Sequence, residues 1–440
     1  MALFPQDALQ RDVTRKEVLG WAMYDFANSG YTTVVLTAVF NAYFVGVVAG
    51  GTAWATLAWT SILAVSNLWV MLTMPVLGAW ADIAGNKKRL LAACAWGCVL
   101  ATAALAAVGP GDLWWATVAL VVSNVLFTYG ESLIASYLPQ LARAEALGRV
   151  SGWGWSFGYL GGMLTLGLSL AYVLWAQSVG RSATHFVPVT MLITAVIFAL
   201  ASCVTLWWLH DRPLQPTILN ASAPRELELS AVGALKRLGQ TLRRAQHYRD
   251  FMALMACTVA YQAGISVVIA LAAVYAEQAL GFQQVETMLL IFLVNIAAAA
   301  GAFAFGYFQD RIGHQVALKW TLWGWVLMTA LAGLGQERWM FWLAAVLAGL
   351  CMGSSQSAGR AMVGLLAPPE RHAEFFGLWT WAVRGAAILG PMTYGVVTWM
   401  AQGNHRVGIA STAVFFVLGL VLLSRIDLVR GQTAKVATIE

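Results

Sequence analysis

Residues 78–90 read "GAWADIAGNKKRL", and residues 306–319 read "GYFQDRIGHQVALK". Both contain G-x-x-x-D-x-x-G, as Gly78, Asp82 and Gly85 in the first and Gly306, Asp310 and Gly313 in the second. Each closes one long apolar run and leads through a polar turn into the next. The two aspartates stand 228 residues apart in a chain of 440. A second echo keeps nearly the same interval. Trp153 and Trp155 in "GWGWSFGYLGG" lie 226 residues before Trp379 and Trp381 in "GLWTWAVRGAAILGP". Two echoes at nearly one spacing predict a chain built from two copies of one unit.

The unit is apolar. Hydrophobic residues make up 60% of the chain and charged ones 10%, with a mean hydropathy of +0.70. Soluble domains carry roughly 25% charged residues. Twelve runs are long enough to cross a bilayer: 22–48, 56–80, 90–109, 113–136, 150–176, 187–209, 250–276, 286–308, 317–335, 339–365, 374–401 and 406–425. Apolar runs of about 20 residues are helices, since lipid leaves backbone groups no partner outside their own segment. The reading is an all-α membrane protein of twelve transmembrane helices in two pseudo-symmetric six-helix bundles. Residues 1–210 form the first bundle, 211–249 a linker and 250–440 the second. The linker holds Pro213, Pro216 and Pro224, then a basic amphipathic stretch, "ALKRLGQTLRRAQHYRD", suited to the membrane surface.

Of the 26 Lys and Arg residues, 21 fall on the side of the N-terminus, three on the other side and two inside spans. That bias predicts both termini in the cytoplasm. It also explains the net charge of +6 without nucleic acid, because the basic residues sit in loops between spans. The polar first 20 residues do not resemble a cleavable signal peptide. The five cysteines lie within apolar runs and form no CxxC, so no metal or disulfide framework is expected. There is no His-x-x-x-His pair, nucleophile triad or phosphate loop. An enzyme with a cofactor is not expected.

Four charges fall inside spans: Asp25 and Glu131 in the first half, Arg360 and Arg384 in the second. Burying a charge in the bilayer costs about 2.5–3.5 kcal/mol on insertion scales, so such residues face a cavity or a partner. With acids in one half and bases in the other, opposite charges can meet across a central cleft. Each of the first three has polar company on its own helical face: Asn28, Ser29 and Thr32 for Asp25, Asn124 and Thr128 for Glu131, Gln356 and Ser357 for Arg360. Two readings stand for Asp25 and for Glu131, a cavity residue or an anchor at the cytoplasmic interface. Arg360 lies within reach of the inner surface and can snorkel. Arg384, about 15 Å into its span, is the hardest to place without a paired or functional role.

The duplicated loops have a mechanical reading. Asp82 and Asp310 sit at inner helix ends beside Lys87, Lys88 and Arg89, and beside Arg311. Such an acid can pair with a base or accept from the free amides of a helix N-terminus. Gly78, Asp82, Gly85, Arg89, Gly306, Asp310 and Gly313 thereby form a candidate latch that closes the inner side. Glycine permits the close approach and the tight turn.

The duplicated loop resembles the signature of the major facilitator superfamily. "YDFANSGYTTVVLTAVFNAYF", "SYLPQLA", "GRVSGWGWSFGYLGG" and "AEFFGLWTW" resemble one branch, the unknown major facilitator family, which includes vacuolar amino-acid effluxers linked to autophagy. The resemblance implies that spans one, four, seven and ten line the cavity, with Tyr261 and Gln262 contributed by span seven. It leads one to expect lysine where span eleven has Arg384, whose guanidinium stays charged and offers a planar fork. The implied activity is alternating-access transport of a small polar solute, an amino acid or related zwitterion, across a bacterial inner membrane. Arg384, Asp25, Asn28, Glu131, Gln356, Arg360 and Gln262 are the candidate solute-binding residues. Partners are the solute and membrane lipids, and the protein is expected as a monomer. Proton coupling and facilitated diffusion both stand. The competing reading is a non-transporting sensor or assembly factor on the same fold.

Overall fold

The computed structural model describes residues 4–52, 54–212, 231–243, 248–282, 284–335 and 337–436. Long helices dominate. In the first half they are α1 (Arg15–Val48), α2 (Ala55–Ala84), α3 (Lys87–Ala104), α4 (Leu113–Ala135), α5 (Leu147–Ser178) and α6 (Ala183–Trp208). The second half has α7 (Arg249–Leu280), α8 (Gln284–Ile312), α9 (His314–Leu334), α10 (Arg338–Leu366), α11 (His372–Met400) and α12 (His405–Leu423). Eleven of the twelve are long and apolar enough to cross a membrane. The exception is α11, whose 29 residues suffice in length. Its Arg384, tryptophans, threonines and glycines lower its hydropathy. A shorter helix, Ala231–Arg243, lies in the linker and touches α2. Pro213, Pro216 and Pro224 fall outside the described residues.

Local chemistry sets the helix ends. The Thr14 side chain accepts from the Glu17 amide and starts α1 at Arg15, seven residues before the apolar run begins. Gly85, at φ +65°, ends α2, and Gly313, at φ +91°, separates α8 from α9. The final glycine of each repeated motif therefore occupies backbone space that other residues avoid. Within α1 the helix widens into i→i+5 turns at Thr32–Ala38 and again at Phe44–Val48.

Each half buries its own apolar core. One is built around Trp21, Tyr24, Tyr31, Trp153 and Phe198, the other around Phe251, Tyr261, Tyr275, Trp325 and Phe416. The halves meet where α2 packs on α11 and where α5 packs on α8 and α10. The face holding residues 4–14 and 424–436 is termed the terminal face. There Leu9 pairs with Ala142 in a single β-bridge, Phe4 packs on Trp153, and Asp250 binds Arg430 at 2.6 Å. Asp12 and Glu17 hold Arg212 at 2.8 and 2.6 Å, and this pairing lowers the Asp12 carboxyl below its usual range. The polar ties between halves run from this face to about mid-bundle, where the innermost are Ser156 to the Ala299 carbonyl and Glu131 to Arg384. The molecule is closed on the terminal face.

Candidate functional site

Because α1 starts at Arg15, Asp25 sits ten residues into the helix rather than in its first turn. It is 8% exposed, and its Oδ2 accepts from Arg360 Nη1 of α10 at 2.7 Å. Asp25 is therefore no interfacial anchor, and Arg360 does not snorkel. Arg360 is 2% exposed. Its Nε donates to Ser151 Oγ at 3.1 Å and its Nη2 to the Ser151 carbonyl at 2.8 Å, both on α5. The guanidinium carbon lies 4.7 Å from the Trp21 ring centre and 5.3 Å from that of Trp155. A cation desolvated this far is held by the carboxylate, two oxygens of α5 and two aromatic faces.

The second pair is more open. Arg384 Nη2 of α11 donates to Glu131 Oε2 of α4 at 2.6 Å, with side chains 15% and 33% exposed. Arg384 Nε is buried and has no hydrogen-bond partner. Phe127, one turn before Glu131, places its ring centre 5.9 Å from the guanidinium and stacks on Tyr31. Glu131 also lies within electrostatic reach of Asp25 and Arg360, so the four charges form one cluster.

The other candidate residues divide. Gln262 of α7 and Gln356 of α10 bond each other, Nε2 to Oε1 at 2.7 Å, inside the second half. Asn28 is 5% exposed, with neither its side-chain nitrogen nor its oxygen hydrogen-bonded. Its neighbours on the same face are Tyr24, which abuts Gly130, and Tyr31, which stacks on Phe127. Those contacts bracket the stretch of α4 that leads to Glu131. The buried amide of Asn28 is thus an unsatisfied donor and acceptor beside the charged cluster.

At the terminal face the two aspartates do matching work. Asp82 accepts from the Ala373 and Glu374 amides, at 3.2 and 2.8 Å, at the start of α11. Lys87 joins it at 2.7 Å. Asp310 accepts from the Gly148 and Arg149 amides, at 2.8 and 3.1 Å, at the start of α5, and from Arg149 Nε at 3.0 Å. Each carboxylate thus caps a helix of the opposite half at its positive end. The base beside Asp310 is Arg149, not Arg311, which is exposed, as is Arg89. Neither Arg89 nor Arg311 is buried in the seam between the halves. A Cβ on Gly78 would lie 2.2 Å from the Ala373 carbonyl oxygen, and one on Gly306 2.9 Å from that of Gly148. Gly85 and Gly313 serve as turns instead.

Sequence reasoning passed over Ser151, Trp21, Trp155 and Arg149. Ser151 and Arg149 lie next to the repeated tryptophans, but a serine among glycines reads as a packing residue. Only the folded α5 shows that its carbonyl and hydroxyl face Arg360.

The family model described as "Vacuole effluxer Atg22 like" matches residues 43–436. The chain belongs to that family. An uncharacterised MFS-type transporter of Bacillus subtilis, YxiO, is 25% identical over 93% of this chain and 94% of its own length. Autophagy-related protein 22-1 of Penicillium rubens is 25% identical over 66% of this chain, a match spanning only 50% of that longer relative. Among solved structures, the human organic anion transporter MFSD10 superposes with a TM-score of 0.67 at 16% identity, over 93% of this chain and 99% of that one. The major facilitator proton:xylose symporter XylE gives 0.68 at 14% identity, over 97% and 98%. The Atg22-like chain is thus an integral multi-pass membrane protein with the fold of major facilitator transporters.

Proposed function

We propose that this protein moves an amino acid or related zwitterion across the inner membrane of a bacterium by alternating access. Both termini are cytoplasmic in this reading, so the closed terminal face is the inner gate and the structure faces outward. Residues 1–210 and 250–440 rock as two bodies about the cleft, and 211–249 is their tether. The observation that carries the proposal is the Glu131–Arg384 pair, partly exposed at mid-bundle with one guanidinium nitrogen unpaired. A solute carboxylate takes the Arg384 fork and its ammonium takes Glu131, so both charges remain compensated when their own pair parts. Asn28 offers the adjoining polar contact. Gln262 and Gln356 spend their amides on each other and shape the wall.

The B. subtilis relative, matched over nearly its full length, supports the bacterial membrane, the effluxer family supports transport, and the solute class rests on the paired charges of Arg384 and Glu131. Uptake of radiolabelled amino acids into proteoliposomes of purified protein tests the proposal. Arg384→Ala abolishes uptake while the protein still folds, and full transport by that variant would remove Arg384 from the site. Glu131 is the carboxylate placed to carry a proton, being one-third exposed while Arg360 locks Asp25. An imposed pH gradient separates coupling from facilitated diffusion.

A further inference from the structure

The two buried ion pairs are not equivalent. Glu131 and Arg360 stand 229 residues apart, close to the 226–228 spacing of the repeat. They occupy matching places on α4 and α10. Glu131 reaches to α11 of the opposite half and Arg360 reaches to α5, its counterpart. Repeat symmetry thus supplies two cross-half ties of one origin. One is half-open with an idle nitrogen. The other is sealed: Arg360 donates through Nε, Nη1 and Nη2, and its guanidinium carbon lies over two indole rings at 4.7 and 5.3 Å.

We propose that Arg360 is a positioning residue that bolts the inner gate and is no ligand of the solute. Its three bonds join α10 to α1 and α5, and all three cross between halves. Ser151 Oγ meanwhile donates to the Ser357 carbonyl at 2.9 Å, fastening the same seam one turn away on α10. Space around the guanidinium is already taken. A Cβ added at Gly154 would lie 2.6 Å from Arg360 Nη2 and 2.4 Å from Asp25 Oδ2. A solute could reach Arg360 only after Trp155 and α5 had moved, which is to say after the gate had opened. Inward opening must therefore break this arginine's bonds, whereas outward loading leaves them intact. The bolt holds the state that the Glu131–Arg384 pair serves, and it rests on the transporter reading only for the direction of the gate.

The test reads conformation directly. Spin labels replace Glu145, exposed just before α5, and Arg311, exposed at the terminal end of α8, in a Cys203→Ser background that removes the exposed native thiol. The wild-type distance distribution is short. Arg360→Gln raises the long-distance, inward-open population about tenfold or more, since the buried pair is broken on one side. Arg360→Lys and Ser151→Ala raise it by smaller factors, so a poorly folding Gln variant leaves the test standing. Arg384→Gln, which breaks the more open tie, raises that population by less than Arg360→Gln does and loses thermal stabilisation by pooled common L-amino acids, which Arg360→Gln retains. If Arg360→Gln and Ser151→Ala keep the wild-type distances, the bolt is wrong. Wild-type protein with no amino-acid stabilisation would instead sink the solute reading, and the distances would still decide the bolt.

Discussion

Arg384 shows how much one side chain can decide. Lysine at this position keeps the charge but loses the planar fork that can grip a carboxylate with two parallel bonds. Arg384→Lys is expected to cut amino-acid uptake by about tenfold or more in kcat/KM with little change in thermal stability. Uptake kinetics and a melting curve on the same preparation check both halves of that statement. Glu131→Gln removes the partly exposed acid and is expected to abolish accumulation driven by a pH gradient while solute exchange persists at a raised KM, the amide oxygen still accepting from the solute ammonium. Counterflow assays at equal pH measure the second part. The four charges themselves were legible in the sequence, because ionised residues inside apolar runs are conspicuous. Their division between halves pointed to cross-cleft pairing. Which acid met which base was not legible, since that depends on how far each helix extends. From the apolar run alone, which begins at residue 22, Asp25 reads as a possible interface residue near a helix start. A threonine cap and the amide it satisfies placed it deep instead.

At the scale of elements, the terminal face is closed because helix backbones come into contact. Gly78 faces the Ala373 carbonyl, so Gly78→Leu cannot close α2 on α11 without displacing backbone. That variant is expected to leave the terminal face open. The check is a cysteine at Leu147, which is 2% exposed in the closed gate and should gain maleimide reactivity when Leu is also present at 78. Asp82→Asn keeps the shape but weakens the hold on the α11 amides, and a smaller rise in the same labelling is expected. The repeat pointed to the paired loops because a carboxylate between two glycines at fixed spacing is a specific pattern, and Asp82 and Asp310 make equivalent contacts to helix amides. The adjacent base was harder. Sequence neighbours suggested Arg311, but the start of α5 brings Arg149 from across the seam.

For the whole molecule, the two latch aspartates sit on different seams, α2 with α11 and α5 with α8. Perturbations at separated sites add. Asp82→Asn combined with Asp310→Asn is expected to shift the inward-open population by the product of the two single effects, as read by the spin-label distances. A bound solute should also raise apparent stability of the intact protein, by about 2.7 kcal/mol at a hundredfold excess over Kd. A metabolite screen by thermal shift finds the compounds that do so. The twofold plan was visible in the sequence because duplication leaves its interval behind. The closed terminal face was not, since one sequence serves every state of the cycle and only packing chooses among them.

The main-chain contacts to Asp82 and Asp310 carry a consequence for how such a protein can evolve. Four of the groups these carboxylates grip are peptide nitrogens, which every residue type except proline provides. The grip itself therefore does not depend on which side chains stand at 373 and 374, although both are fully buried and their packing constrains them separately. The aspartates have no such latitude. Proline at 374 is the substitution that lineage drift should avoid, because it deletes the shorter of the two amide bonds to Asp82.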